Sequence, residues 1–132
     1  MTTNNLLFYP TVFSHEDGSI NVRVPDVGVA TVGTDMQDAL YMVRDALGLM
    51  LESETSYPDP SEPKNIQLEP WEIADTTEIV MVAYDLAEYR KSVAKTVRRN
   101  ISLPEYLNNA AKKANINVSK VATEALEEVL YG

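Results

Sequence analysis

The sequence predicts an α+β protein in which a β-β-β-α-β domain, residues 1–88, is followed by a smaller β-α-α domain, residues 89–132. Three short β-branched and aromatic runs precede an amphipathic helical pattern and a further apolar run. The charge also changes sign, because residues 1–88 carry 16 acidic and three basic side chains, and the rest 4 acidic and eight basic. Finally, a stretch of alternating polar and apolar residues ends in a proline and leads into two helical patterns.

The composition is that of a folded protein without disulfides. Apolar residues make up 45% of the chain, and it has no cysteine for a disulfide or a thiolate metal site. No apolar run approaches the roughly 20 residues that span a bilayer, and the opening "MTTNNLLFYP" does not have the pattern of a signal peptide. We therefore expect a cytoplasmic protein that makes no contact with membranes.

The first three strands follow from local patterns. "LLFYPTVF" (6–13) and "SINVRV" (19–24) are rich in β-branched and aromatic residues, and the Asp17-Gly18 pair between them is typical of a hairpin turn. After a "PDVG" turn, "VATVG" (29–33) predicts a third short strand.

One helix and a fourth strand complete the N-terminal domain. Thr34 is the expected N-cap of the helix. The apolar stripe of the helix, expected to lie on the sheet, consists of Met36, Leu40, Val43, Leu47 and Met50. Residues 53–77 hold four prolines among many acids and predict a long irregular loop. "EIVMVAYDL" (78–86) is continuously apolar, which is typical of a buried strand in the middle of a sheet.

The C-terminal domain begins with the alternating stretch "VRRNISLP". In a strand, one face carries Val97, Arg99, Ile101 and Leu103, and the other carries Arg98, Asn100 and Ser102. Pro104 fits the first turn of a helix over 104–115, and Ser119 is the expected cap of a second helix over 120–132.

A strand and two short helices bury too little apolar surface to fold alone, since isolated domains below about 40 residues usually need a partner chain, metal or disulfides. We therefore expect a dimer in which two strands pair antiparallel into a ribbon. The residues expected in its core are Val97, Ile101, Leu103 and Leu126. Such a two-stranded ribbon fits the major groove of DNA.

This pattern resembles the ribbon-helix-helix family of transcriptional repressors over about 35 residues. The resemblance rests on the alternation that ends in "ISLP", the spacing to "NVS" and the capped second helix. It implies that Arg98, Asn100 and Ser102 read base edges. It also implies that Ser119 and Lys120, at the start of the second helix, hold a phosphate.

The N-terminal domain resembles that of HicB antitoxins. The resemblance rests on the Tyr-Pro opening, the Glu-Asp-Gly hairpin, the Pro-Asp turn and the helix "DALYMVRDALGLMLE", all in order. It implies a degenerate RNase H-like domain that binds a HicA-type ribonuclease toxin. It also implies a homodimeric or higher-oligomeric protein whose tail represses the operon at its operator DNA.

We expect no catalytic residue, metal site or cofactor. Asp17, Asp26 and Asp35 could suggest the clustered carboxylates of a metal-dependent nuclease, but they lie at turn and cap positions where aspartate serves local hydrogen bonding. His15, the one histidine of the sequence, has no nucleophile or second histidine near it in sequence. The protein is therefore expected not to be an enzyme.

Two functions remain open on the sequence. In the first, an antitoxin lays its acidic domain over a basic toxin and represses its own operon through the tail. In the second, the protein is a free-standing ribbon-helix-helix repressor whose N-terminal domain senses a ligand or only oligomerises. A neighbouring reading frame for a short basic protein would favour the first function, and a small-molecule pocket without such a neighbour would favour the second.

Overall fold

A computed structural model of the protein describes residues 6–132. The described chain divides into two units, one ending at residue 93 and the other spanning 94–132. The first unit contains β1 (Leu6–Glu16), β2 (Ser19–Val24), β3 (Val29–Gly33), α1 (Met36–Leu51), β4 (Thr77–Asp85) and α2 (Leu86–Val93), and the second contains α3 (Glu105–Lys113) and α4 (Val118–Tyr131). The predicted α+β class is confirmed.

The four strands form one antiparallel sheet in the order β3-β2-β1-β4. The β1–β2 hairpin closes with Glu16 opposite Ser19, so that Asp17 and Gly18 form the predicted two-residue turn. Gly18 has a φ of +75°, a left-handed conformation that glycine adopts without steric cost.

The prediction that the fourth strand lies in the middle of the sheet is wrong. β4 pairs with β1 and forms an edge of the sheet, whereas β1 and β2 occupy the centre. Val82 and Tyr84 are buried, but Val80 and Met81 are each 43% exposed. A continuous apolar run therefore marks an edge strand here, because strand order depends on pairing between distant segments, which a local pattern does not reveal.

Helix α1 begins one residue later than predicted. Asp35, rather than Thr34, is the N-cap, and its Oδ1 accepts a hydrogen bond of 2.8 Å from the N–H of Asp38. The Asp38 carboxylate in turn accepts the N–H of Thr34 at 2.8 Å. This reciprocal pair satisfies two backbone donors at the helix start, in the manner of a capping box.

The buried side of α1 differs from the predicted stripe at its C-terminal end. Buried positions of the helix are Ala39, Val43, Leu47, Gly48 and Leu51, whereas Met36 and Leu40 are partly buried. Met50 is exposed, because Leu51 occupies the inward position of the last turn. At the other end, Gly33 approaches the Ala39 backbone so closely that a Cβ would overlap it.

Hydrogen bonds to β1 and to the turn after β2 hold the predicted loop between α1 and β4 in place. The Tyr9 hydroxyl donates to the carbonyl of Pro58 at 2.7 Å. The Ser61 N–H and Oγ donate to the Asp26 carboxylate, in the turn after β2, at 2.8 and 2.6 Å. Two short 3-10 turns, Pro63–Asn65 and Ala74–Thr76, interrupt the loop before β4.

The first unit extends beyond residue 88, the expected end of the N-terminal domain. Helix α2 follows β4 directly, and the ring of Tyr89 packs against Gly48 of α1. Arg90 Nε donates to the Glu52 carbonyl at 2.9 Å, and Arg90 Nη2 donates to the Tyr57 hydroxyl at 2.8 Å. These contacts place residues 89–93 with the first unit.

The second unit starts with a segment, residues 94–104, that has no regular secondary structure. The strand predicted there is therefore not present in the chain as described. A strand needs a second strand beside it to pair its backbone groups, and the described part of this unit otherwise consists of helices. Helix α3 begins after Pro104, as expected, whereas α4 is capped by Asn117 rather than Ser119.

Candidate DNA-binding and partner-binding surfaces

The helices of the second unit enclose no core of their own. Neither α3 nor α4 contains a buried residue, and every residue of 94–104 is exposed. The exposed large apolar side chains are Val97, Ile101, Leu103, Tyr106, Leu107, Ile116, Val121, Leu126, Val129 and Leu130. An apolar surface of this kind on so small a unit indicates an interaction surface.

The predicted base-reading residues lie together in the exposed segment 94–104. Arg98, Asn100 and Ser102 are all exposed there, as are Val97, Ile101 and Leu103, which the sequence predicts to form the dimer core. The segment is strongly basic, because three lysine and arginine residues precede the first acid of the unit, Glu105.

The start of α4 differs from the expected phosphate clamp. The Asn117 side chain accepts the N–H of Lys120 at 3.0 Å, so that this amide already has a partner inside the protein. Ser119 and Lys120 lie in the first turn, and both are exposed. The side-chain ammonium of Lys120, rather than its amide, is therefore the group that remains open to an anion.

A buried ion pair in the first unit fixes the acidic loop on the sheet. Arg23 Nε and Nη2 donate to the Glu72 carboxylate at 2.8 and 2.7 Å, and Nη2 also donates to the Gln67 carbonyl at 3.0 Å. The two side chains are 14% and 1% exposed. Hydrogen bonding to Arg23 lowers the pKa of Glu72, and burial opposes this shift. The same bond raises the pKa of Arg23.

This pair lies on the face of the sheet opposite α1. Phe13 and its partner Val22 belong to the core under α1, so Arg23, the next residue along β2, points to the opposite face. Sequence reasoning missed both members of the pair. The available signal was an arginine within the apolar alternation "NVRV", but its partner lies 49 positions away.

A half-open cleft of about 580 Å³ lies beside α1 and α2. Its lining is mainly apolar and aromatic and includes Tyr41, Arg44, Leu47, Tyr84, Leu86 and Tyr89. Burial raises the pKa of Tyr84, whose hydroxyl lies 2.6 Å from Thr11 Oγ1. The Tyr84 hydroxyl therefore stays protonated at neutral pH, and Arg44 supplies a positive charge to the cleft.

Carboxylates in the described residues do not assemble into a cluster that could hold a metal ion. The Asp26 carboxylate instead accepts a hydrogen bond from Ser61, and the Asp35 carboxylate accepts one from the N–H of Asp38 at the start of α1. The exposed His15 lies 3.2 Å from Glu78. Within residues 6–132, no helix has both the length and the apolar character needed to cross a membrane.

Among solved structures, the chain is similar to a chain of a toxin-antitoxin complex from Streptococcus pneumoniae. The two share 23% sequence identity with a TM-score of 0.56, and the match covers 93% of this chain and 98% of that chain. At this identity the likeness shows a shared fold. No protein-family model and no curated protein matches the chain.

Proposed function

We propose that the protein is a HicB-family antitoxin of a type II toxin-antitoxin system, which neutralises a HicA-type mRNA-cleaving toxin by direct binding and represses its own operon. It acts by binding and is not an enzyme. The observation that carries this proposal is the likeness to a chain of a toxin-antitoxin complex over 93% of the chain. Because the likeness spans both units, it supports a two-part protein rather than a shared domain alone.

The first unit binds the toxin in this proposal. Residues 6–93 carry 16 acidic and five basic side chains, a net charge of −11. A protein that cleaves RNA must attract phosphate and is expected to carry a basic surface. An acidic domain therefore competes for that surface and accelerates the encounter through long-range attraction.

The second unit binds the operator as a dimer. Two copies pair their 97–103 segments antiparallel into a ribbon, which supplies the missing strand and covers Val97, Ile101 and Leu103. Leu126 joins that core from α4. The outward face of the ribbon then presents Arg98, Asn100 and Ser102 to the major groove, as the resemblance to ribbon-helix-helix repressors implies.

Lys120 binds a phosphate at the edge of the operator contact and, with Ser119, sets the position of α4 on the DNA. The net charge of +2 over residues 94–132 supports the proposal that the second unit binds DNA, since the acidic first unit would repel the DNA backbone.

Co-expression tests whether the protein binds and neutralises a toxin. The tagged full chain is produced together with the reading frames that flank its gene, and the captured proteins are identified by mass spectrometry. We expect a short basic protein that arrests growth and degrades mRNA when it is produced alone, and that loses both effects when this chain is present. If no flanking product binds the chain, or if the bound product stays toxic, the antitoxin proposal is wrong.

The apolar cleft beside α1 and α2 favours a second candidate, a free-standing repressor that senses a ligand in its N-terminal unit or only oligomerises through it. About 580 Å³ is enough for a small molecule, and Arg44 could fix an anionic group there. This candidate predicts operator binding without any toxin partner. It also predicts that Ser92→Trp, which narrows the cleft from an exposed position of its lining, alters the response of the repressor to a cell extract.

A further inference from the structure

The outer side of β4 is the longer of the two open edges of the sheet. β4 pairs with β1 along its whole length, from Thr77 opposite Ser14 to Asp85 opposite Leu6. Within the described residues, no strand pairs with its other side. Alternate N–H and C=O groups along that side therefore lack a partner strand and can template a further one.

The edge of β4 lacks three of the features that usually prevent such pairing. Its nine residues, "TEIVMVAYD", include neither lysine nor proline, and the register with β1 continues without a bulge. Val80 and Met81, neighbours in the middle of the strand, point to opposite faces, and each is 43% exposed. Apolar side chains are thus available on both faces beside the free edge.

The opposite edge of the sheet is different. β3 has five residues and ends at Gly33, which is held against the backbone of Ala39 in α1. β4 is nearly twice as long, and an added strand gains about one backbone hydrogen bond per residue of overlap. Of the two edges, β4 is the better template.

The negative charge of β4 and of the unit around it favours a basic partner at this edge. The charged residues of β4 are Glu78 and Asp85, near its two ends, and the unit around them has a net charge of −11. A second copy of the unit would bring another −11 to the same place, and the two would repel each other. A strand with lysine or arginine at its ends would instead place opposite charges beside Glu78 and Asp85.

We propose that the free edge of β4 accepts an extended strand of a basic protein as a fifth strand of the sheet; the identification of that protein with the toxin rests on the proposed function. Backbone hydrogen bonds supply the affinity in this mode, and the side chains that flank the edge supply the selectivity. The acidic surface steers the partner, and the edge holds it.

Three lysine variants of the full chain test this proposal against the captured toxin. Val80→Lys and Met81→Lys place on β4 the residue that natural proteins use to protect sheet edges, and both positions are already partly exposed. Val32→Lys makes the same change of charge on β3, where the side chain is 49% exposed. Thermal unfolding of each variant verifies that the sheet is intact.

We expect Val80→Lys and Met81→Lys to raise the dissociation constant for the toxin by about tenfold or more, and Val32→Lys to change it by less than about threefold. Amide hydrogen exchange of the wild-type chain should show new protection on alternate residues of β4 when the toxin is bound. Equal effects of the three variants, or the absence of alternating protection, would overturn the proposal while the antitoxin function stands.

A synthetic peptide decides the question if no toxin is captured. The probe is an alternating valine-threonine peptide flanked by lysines, and its control has glutamates in place of the lysines. Protection of β4 by the lysine peptide alone supports the proposal. Protection by neither peptide or by both, or protection that grows with the concentration of the chain itself, contradicts it; the last result would identify a second copy as the occupant.

Discussion

The two units of the chain have nearly the same apolar content but opposite patterns of burial. The second unit has 18 apolar residues among its 39, a share close to the 45% of the whole chain, yet α3 and α4 bury none of them. The first unit buries Tyr9, Phe13, Val43 and Leu47 between a sheet and a helix. Composition therefore does not decide whether a segment folds alone, because a core requires elements on opposite sides of the apolar residues.

Two isoleucines make the sharpest test of this difference and give the largest expected effect. Ile101→Asp should abolish the proposed dimer, raising its dissociation constant by about 1000-fold or more, because it places a charge in the core that two copies are proposed to build together. Ile73→Asp, in the first unit, should leave the dimer unchanged. The two side chains have similar exposure in the isolated chain, 56% and 65%.

Sedimentation equilibrium measures the dimer in both variants, and circular dichroism follows the helices. If Ile101→Asp remained a dimer at the concentrations where the wild type is one, the second unit would not be completed by a second copy.

The ion pair in the first unit gives the next largest effect. Glu72→Gln should destabilise that unit by about 3 kcal/mol, because it leaves the mostly buried Arg23 without its charged partner. Glu62→Gln is the control, since Glu62 and Lys64 form an exposed pair at 3.1 Å that should contribute little. Urea unfolding at neutral pH measures both, and equal effects of the two variants would contradict the role given to Glu72.

The same pair makes the first unit sensitive to acid. The pKa of Glu72 is lowered in the folded protein from its ordinary value of 4.5, so its contribution is complete above pH 4.5. That contribution is lost as the pH falls from 4.5 through the lower folded-state pKa, where the carboxylate takes up a proton. The stability difference between wild type and Glu72→Gln should therefore shrink over this range, as urea unfolding at a series of pH values would measure.

The boundary between the units predicts a smaller effect. A chain ending after Val93 should fold alone, whereas one ending after Glu88 should be less stable by about 2 kcal/mol, because it lacks Tyr89 and Arg90. Urea unfolding compares the two. The isolated peptide 94–132 should in contrast become helical only at concentrations where it associates. Equal stability of the two truncated chains would indicate that α2 contributes nothing to the first unit.

Substitutions in the proposed operator-reading residues of the second unit are expected to give the smallest changes in free energy. Arg98→Ala or Asn100→Ala should weaken binding to the operator by about 1 to 2 kcal/mol more than binding to random DNA, because base contacts carry the discrimination. Lys120→Ala should weaken both about equally and make the salt dependence shallower. Electrophoretic mobility shifts at several salt concentrations separate the two outcomes. Unchanged operator preference in a dimeric Arg98→Ala or Asn100→Ala variant would show that the segment does not read bases.

Local patterns in the sequence determined much of the first unit. The three strands before α1, the Asp17-Gly18 turn and the presence of α1 depend on neighbours a few positions apart, and the structure contains all of them. The sequence also predicted α4, but it placed the start two residues too late, because the capping side chain is Asn117 rather than Ser119. At such ends neighbouring polar residues compete, and backbone geometry decides between them.

Tertiary structure decided the features that depend on distant segments. The position of β4 at the edge and the bond between Arg23 and Glu72 each join parts of the chain that are far apart, and an apolar or charged residue does not specify its partner. The alternation in residues 97–103 also depends on a distant segment. Its polar and apolar side chains form two faces of a strand only when a second strand pairs with it. Sequence therefore determined the three strands and the helix α1 at the start of the first unit, whereas pairing and packing between distant segments determined which of their surfaces remain open to bind.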